Sequence, residues 1–211
     1  MNLQGQPVTL AIETAFPTVS VALATGDGIV IPDDMPSRPR ASDLHPALEQ
    51  CLTKAGLRTV DVDRILVDKG PGSYTGLRIG LSLARTLAHL HGTPIHTLYS
   101  TDLLAWMGRD HAEPEEEFVV ALDARRIHWT LARYLRTSDG IARIQAPSVV
   151  ARADFTEIAD RHRLVLCAED EAPTSAQVVK LGVPEATTLF ELETLAEVES
   201  APLPLYLMPA T

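Results

Sequence analysis

The stretch from Arg64 to His91 constrains the fold more than any other part of the chain. A short β-branched run, Arg64-Ile65-Leu66-Val67, leads into the turn Gly70-Pro71-Gly72-Ser73-Tyr74-Thr75-Gly76, and then into a long apolar segment, Leu77 to His91. The first reads as a buried strand and the last as a helix, with glycine and proline as punctuation between them. Strand, turn and helix in this order predict an α/β fold with parallel strands. At about 100° per residue, Leu77, Leu81, Ala84 and Ala88 form one apolar row of the helix, and Ile79, Leu83, Leu87 and Leu90 form another well around the cylinder. Together they span roughly 200°, twice the ~100° stripe of an ordinary surface helix. Arg78, Ser82, Arg85 and His89 form the polar strip. One row covers the chain's own sheet. The other needs a second cover, either the preceding helix with the second half of the chain or a partner protein docked on the face.

The flanking sequence supplies the elements around this unit. Val8 to Ile12 and Val19 to Ala24 read as a hairpin across Thr14-Ala15-Phe16-Pro17, and Ile29 to Ile31 as a third strand. A loop rich in proline follows, Pro32 to Pro39. The first helix starts after Ala41-Ser42-Asp43, with Ser42 or Asp43 as cap, places Leu44, Leu48, Cys51, Leu52 and Ala55 at spacings of three and four, and ends at Gly56. Ile95 to Tyr99 is a further strand, and Thr101 or Asp102 caps the next helix. The second half opens with an acidic loop, Glu113 to Glu117, and a second hairpin-like pair, Phe118 to Leu122 and His128 to Tyr134, repeating the opening plan. Beyond Val149 the pattern predicts a strand at Leu164 to Cys167, a helix near Ala176 to Leu181 and an acidic helix near Phe190 to Glu199. The resulting division is 1–100 and 101–211, with the last segment packing back on the first lobe.

Composition narrows the function. The 211 residues carry 28 acidic and 18 basic side chains, a formal net charge of −10, which excludes a generally basic protein that coats nucleic acid. Cys51 and Cys167 are the two cysteines, too few for a disulfide scaffold or a metal-type cysteine cluster, and a reducing compartment is the simpler reading. With no leader-like N-terminus and no stretch of ~18 apolar residues, the expected location is the cytoplasm, away from membranes.

The glycine turn has two readings. Glycines between a strand and a helix start expose backbone N–H groups that can hold an anion in the helix field. Alternatively, Gly72 and Gly76 serve a tight turn and close helix packing, with Ser73 or Thr75 as cap. The spacing fits neither the dinucleotide fingerprint nor the triphosphate loop, since Leu77-Arg78 follows Gly76 where lysine and a hydroxyl residue are required.

The run from Gly70 through Leu77-Arg78-Ile79-Gly80 resembles the hallmark of the TsaB (YeaZ) family of tRNA threonylcarbamoyladenosine biosynthesis proteins. Ala11-Ile12-Glu13-Thr14 with Ser20-Val21-Ala22-Leu23, Leu122-Asp123-Ala124-Arg125-Arg126, and Pro204-Leu205-Tyr206-Leu207 resemble other family segments in the same order. The resemblance implies the two-lobed α/β fold of the actin, sugar-kinase and heat-shock ATPase superfamily, each lobe a mixed sheet with helices. It also implies a subunit without catalysis or cofactor of its own. Its partner, the related TsaD, carries the metal and transfers the threonylcarbamoyl group to the tRNA adenosine beside the anticodon, and an ATPase, TsaE, engages the pair. The first two helices of each subunit are implied to form a four-helix bundle, so the expected interface comprises Leu44, Leu48, Cys51, Leu77, Ile79, Leu83, Leu87 and Leu90. A homodimer through the same face is the alternative. The sequence departs from the family pattern at Arg40-Ala41-Ser42, where His-Ser-Glu is common, at Glu13, where aspartate is usual, and after Arg126.

The rival function is an ATPase or phosphotransferase acting alone. Its carboxylates would be Glu13 and Asp123, near the two hairpin turns, yet Glu13-Thr14-Ala15 and Asp123-Ala124-Arg125 lack the glycine that lets phosphates approach. A zinc hydrolase needs two histidines four apart on a helix, and none of the seven is so spaced. Arg125, Arg126, Arg133, Arg136 and Arg143 make the second hairpin locally basic. They form either a contact for tRNA or a partner, led by Arg125, Arg126 and Arg133, or a solvated strand surface.

Overall fold

The computed structural model describes residues 7–37, 39–124, 128–168 and 178–206. In chain order, β1 (Thr9–Glu13) and β2 (Ser20–Thr25) form the opening hairpin, followed by β3 (Gly28–Val30) and α1 (Leu44–Ala55). Then come β4 (Arg64–Asp68), α2 (Tyr74–His91), β5 (Ile95–Leu98) and α3 (Ser100–Gly108). The second half holds β6 (Glu117–Asp123), β7 (His128–Thr137), β8 (Gly140–Ala151), α4 (Phe155–Asp160), β9 (Val165–Ala168), β10 (Val178–Leu181) and β11 (Glu197–Val198).

Two mixed sheets result. The first has the order β11-β5-β4-β1-β2-β3 and the second β10-β9-β6-β7-β8. In the first, β1 pairs antiparallel with β2 and parallel with β4, and β4 runs parallel to β5. All five residues of β1 are buried, because both faces of this central strand are covered. Leu10, Ile12, Val21, Leu23, Ile65, Val67 and Ile95 face α1 and α2. Ala11, Ala22, Leu66 and Leu98 face α3 and the inner side of the second sheet, where Phe118, Val120 and Tyr134 lie. A smaller core sits under α4, around Trp129 and Phe155. Gly56 and Gly92 end α1 and α2 with φ of 65° and 73°, in the left-handed conformation that a helix stop requires.

Several expectations fail in the tail. Val178 to Leu181 forms a strand paired parallel with β9, as its β-branched residues favour, while 176–177 lie outside the described residues. Instead of an acidic α-helix, Ala186–Leu195 is a 3-10 segment kinked at Leu192. Its buried residues, Ala186, Leu189 and Leu192, recur every third position, which is the period of that tighter helix. It packs against α3 and the first sheet, and β11 then joins that sheet beside β5. The strand β8 was not anticipated. Pro147 is tolerated there because β8 is an edge strand whose register shifts opposite Leu131 and Arg133.

Candidate functional site

The glycine turn is pressed against the β1–β2 turn. Ser73 N donates to Ala15 O at 2.7 Å, and Ser73 Oγ caps α2 by accepting from Gly76 N at 3.2 Å. A Cβ on Gly72 would stand 2.4 Å from Ala15 O, one on Gly76 1.9 Å from Thr14 O, and one on Gly80 2.2 Å from Thr14 Oγ1. These glycines are therefore needed for contact with the opening hairpin. Gly70, at φ 102°, donates its N–H to Asp68 Oδ1 at 2.6 Å, and its carbonyl accepts from Ser100 N at 3.0 Å. The amides of Gly70, Ser73 and Gly76 are thus engaged within the protein, and the turn clamps β4 and α2 onto the hairpin.

Glu13 lies beneath this clamp, fully buried. Its Oε1 accepts from Ala15 N at 2.6 Å and Phe16 N at 3.3 Å. Asp68, also fully buried, ends the adjacent parallel strand and accepts from Ser100 Oγ at 2.8 Å as well as from Gly70. Burial, and then the neighbouring Asp68 charge, push the Glu13 carboxyl well above its usual range, and burial raises Asp68 too. Within this pair, Glu13 Oε2 and Asp68 Oδ2 have no hydrogen-bond partner among the described residues, so a proton retained on one of the carboxyls relieves the repulsion between them. Asp123, the other carboxylate of the ATPase reading, ends β6 and is paired with Arg152. Among the described residues, no three His, Cys, Asp or Glu side chains come together as a metal site, and no helix is long and apolar enough to cross a membrane.

The apolar width of α2 has a different explanation from an uncovered face. Leu44, Leu48, Cys51, Leu83 and Leu87 are buried in the core between the first sheet and α1, and Leu77 is buried on the other side, toward α3. Apart from Ile79 and Leu90, the large apolar residues of the two rows are covered by the chain's own sheet and by its neighbouring helices. Of the eight expected interface residues, Ile79 is half-buried and Leu90 is 64% exposed. Between α1 and α2 runs a surface groove of about 320 Å³ lined by His45, Arg78, Ile79, Ser82, Leu83 and Thr86. The 18 residues of α2 include no acidic side chain, whereas Arg78, Arg85 and His89 are exposed on it. At its start, Arg78 donates to Tyr74 Oη at 2.7 Å and lies over the Tyr74 ring at 5.3 Å, and Tyr74 stacks on Tyr206 with centroids 5.0 Å apart.

Among the described residues of the second hairpin's basic stretch, each arginine is paired with a carboxylate. Arg125 and Arg126 lie outside the described residues. Arg133 pairs with Glu117, Arg136 with Asp110, and Arg143 with Asp102 and Glu197. Strand alternation and nearby carboxylates disperse these cations. A cluster missed in the sequence forms instead where the chain end meets the first sheet. Lys69 Nζ donates to Glu197 and Glu199 at 2.9 and 2.7 Å, and both Lys69 and Arg143 lie over the Tyr99 ring. Arg143 also reaches Asp102 at 2.9 Å, and burial still pushes that carboxyl up to about 6.

Residues 18–196 match the family model described as TsaD: tRNA N6-adenosine threonylcarbamoyltransferase. An uncharacterised protein of Mycobacterium tuberculosis is 31% identical over 188 residues, which are 87% of this chain and 75% of that one. The tRNA threonylcarbamoyladenosine biosynthesis protein TsaB of Bacillus subtilis is 38% identical over 101 residues, covering 47% of this chain and 44% of that protein. Among solved structures, YeaZ from Pseudomonas aeruginosa superposes with a TM-score of 0.72 at 20% identity, over 95% of this chain and 100% of that one.

Proposed function

Since the chain belongs to the family described as tRNA N6-adenosine threonylcarbamoyltransferase, and within it to the TsaB (YeaZ) group, we propose that it is a non-catalytic subunit that binds a TsaD-type protein through α1 and α2. In that role it supports threonylcarbamoyl transfer to tRNA in the cytoplasm. One observation carries this reading: a helix without a single carboxylate, in a chain of net charge −10, borders an open groove of mixed polar and apolar character. Such a face suits docking of a second helical pair whose own surface is acidic. The lack of catalysis is supported by where the superfamily carboxylates sit. Glu13 spends one oxygen on the turn's own amides and is fully buried beside Asp68, which with burial holds its carboxyl well above the usual range, and Asp123 faces Arg152. ATP and metal then belong to the TsaD-type and TsaE-type partners, and tRNA is met mainly through them.

Mixing the chain with the TsaD-type protein of the same organism tests this by size-exclusion chromatography with light scattering. A one-to-one complex is expected, and Leu90→Asp should remove it while leaving the melting temperature near that of the wild type, whereas Ile79→Asp should remove it with a modest fall in melting temperature, because Ile79 also packs on the core. Leu83 and Leu87 are unsuitable for this purpose, because a buried charge there unfolds the core. Two separate peaks for the wild-type mixture refute the reading. A complex retained by both variants moves the interface elsewhere, and a homodimer that persists in the mixture favours self-association.

A further inference from the structure

The C-terminal segment at 201–206 crosses the ends of β4 and α2 and is unused by the function proposed above. Leu205 N donates to Lys69 O at 2.7 Å, and the Tyr206 ring lies stacked on Tyr74. The segment turns large apolar surface outward: Leu203 is 68% exposed, Tyr206 45% and Tyr74 41%. Tyrosine exposes a rigid, half-apolar ring whose fixing costs little entropy, and Tyr and Arg dominate the energetically decisive positions of interfaces. Arg78 joins this cluster to the groove, since it is a wall of the groove and also the cation lying over Tyr74. Among the described residues its one hydrogen-bond acceptor is Tyr74 Oη, so most of the guanidinium's five N–H donors remain available to a carboxylate.

We propose that the strap at 201–206, with Tyr74, forms the second half of the docking surface, and that its occupant is the same TsaD-type subunit. That subunit sets an apolar side chain on the Tyr74–Tyr206 pair and Leu203 and brings carboxylates to Arg78 and Arg85. The proposal rests on the heterodimer reading and extends it from two helices to the far end of the chain. The charge of α2 supports an acidic partner face at this place, because the helix exposes Arg78, Arg85 and His89 and has no carboxylate to repel such a face, while the chain as a whole carries a net charge of −10.

Isothermal titration of the TsaD-type subunit into the full chain, at low and high salt, tests it with Leu203→Asp, Tyr206→Ala, Arg78→Glu, the groove variant Ile79→Asp and the remote surface variant Ile144→Asp. Thermal melts establish that each is folded. Leu203→Asp and Tyr206→Ala should each weaken binding about tenfold or more. Arg78→Glu should weaken it and flatten its salt dependence, and Ile144→Asp should leave it unchanged. Strap variants binding within twofold of the wild type, while Ile79→Asp loses binding, overturn the extension and leave the heterodimer intact. Failure of the wild-type chain to bind at all refutes the heterodimer itself, and the extension with it.

Discussion

Gly76→Ala is the sharpest test of the clamp between the glycine turn and the opening hairpin. On helix propensity alone the change should stabilise the protein by about 1 kcal/mol, since alanine is the better helix former. The structure reverses that sign. The new Cβ would stand 1.9 Å from Thr14 O and 3.1 Å from Thr14 C, and both are backbone atoms that cannot rotate away. Ordinary contact needs about 3.4 Å, so α2 must retreat from the turn by more than 1 Å, with overpacking costs of about 1–3 kcal/mol or above. Retreat stretches the Ser73 N to Ala15 O bond, now 2.7 Å, and losing it leaves a buried carbonyl unpaired for about 1–3 kcal/mol more. The net destabilisation is about 2–4 kcal/mol. For a chain of this size that is a fall of roughly 5–15 °C in melting temperature. Differential scanning calorimetry reads it directly, with Gly92→Ala as a comparison site where nothing lies within 4 Å of the new Cβ and only the φ of 73° is strained. If Gly76→Ala melts at or above the wild-type temperature, the clamp is not what holds α2.

Two further outcomes follow from buried groups. The carboxyls of Glu13, Asp68 and Asp102 are all raised by burial, so the native chain keeps protons that the unfolded chain has released, and their contribution fades as pH rises from about 4 through about 6 and beyond. Thermal stability should therefore fall between pH 5 and pH 8, by up to about 1.4 kcal/mol per pH unit for each retained proton, and Glu13→Gln should shallow the slope; a melting temperature that climbs across this range contradicts the burial-raised carboxyls. Cys51 is fully enclosed and burial pushes its thiol up to about 11, so a chromogenic disulfide reagent at pH 8 should leave it unmodified until denaturant is added, and prompt native labelling would show the α1 core to be open.

The β1–β2 hairpin, α1 ending at Gly56, and the strand, turn and helix from Arg64 to His91 were legible because each is specified by neighbours in sequence. Apolar periodicity, a serine cap and stop glycines act within a turn or two of themselves. For the same reason the wide apolar surface of α2 was visible, but its covering was not: α1 lies over it through contacts between distant segments, and a helix pattern states how much must be buried without stating against what. The tail was misread where local pattern was weakest. Ala186–Leu195 is a tighter helix whose every third residue packs against α3 and the first sheet, and β11 is a strand only because β5 offers an open edge. Similarly, Glu13 beside Asp68, and Tyr206 on Tyr74, are pairs made by strand order and by the path of the chain end. The sequence by itself determined the elements with strong local signals, from the opening hairpin through α2, together with the −10 charge and the absence of carboxylates from α2. The tertiary structure decided which leucines were spent on the core and which groups remained to meet a partner, because burial is a property of how elements stack and no single element contains it.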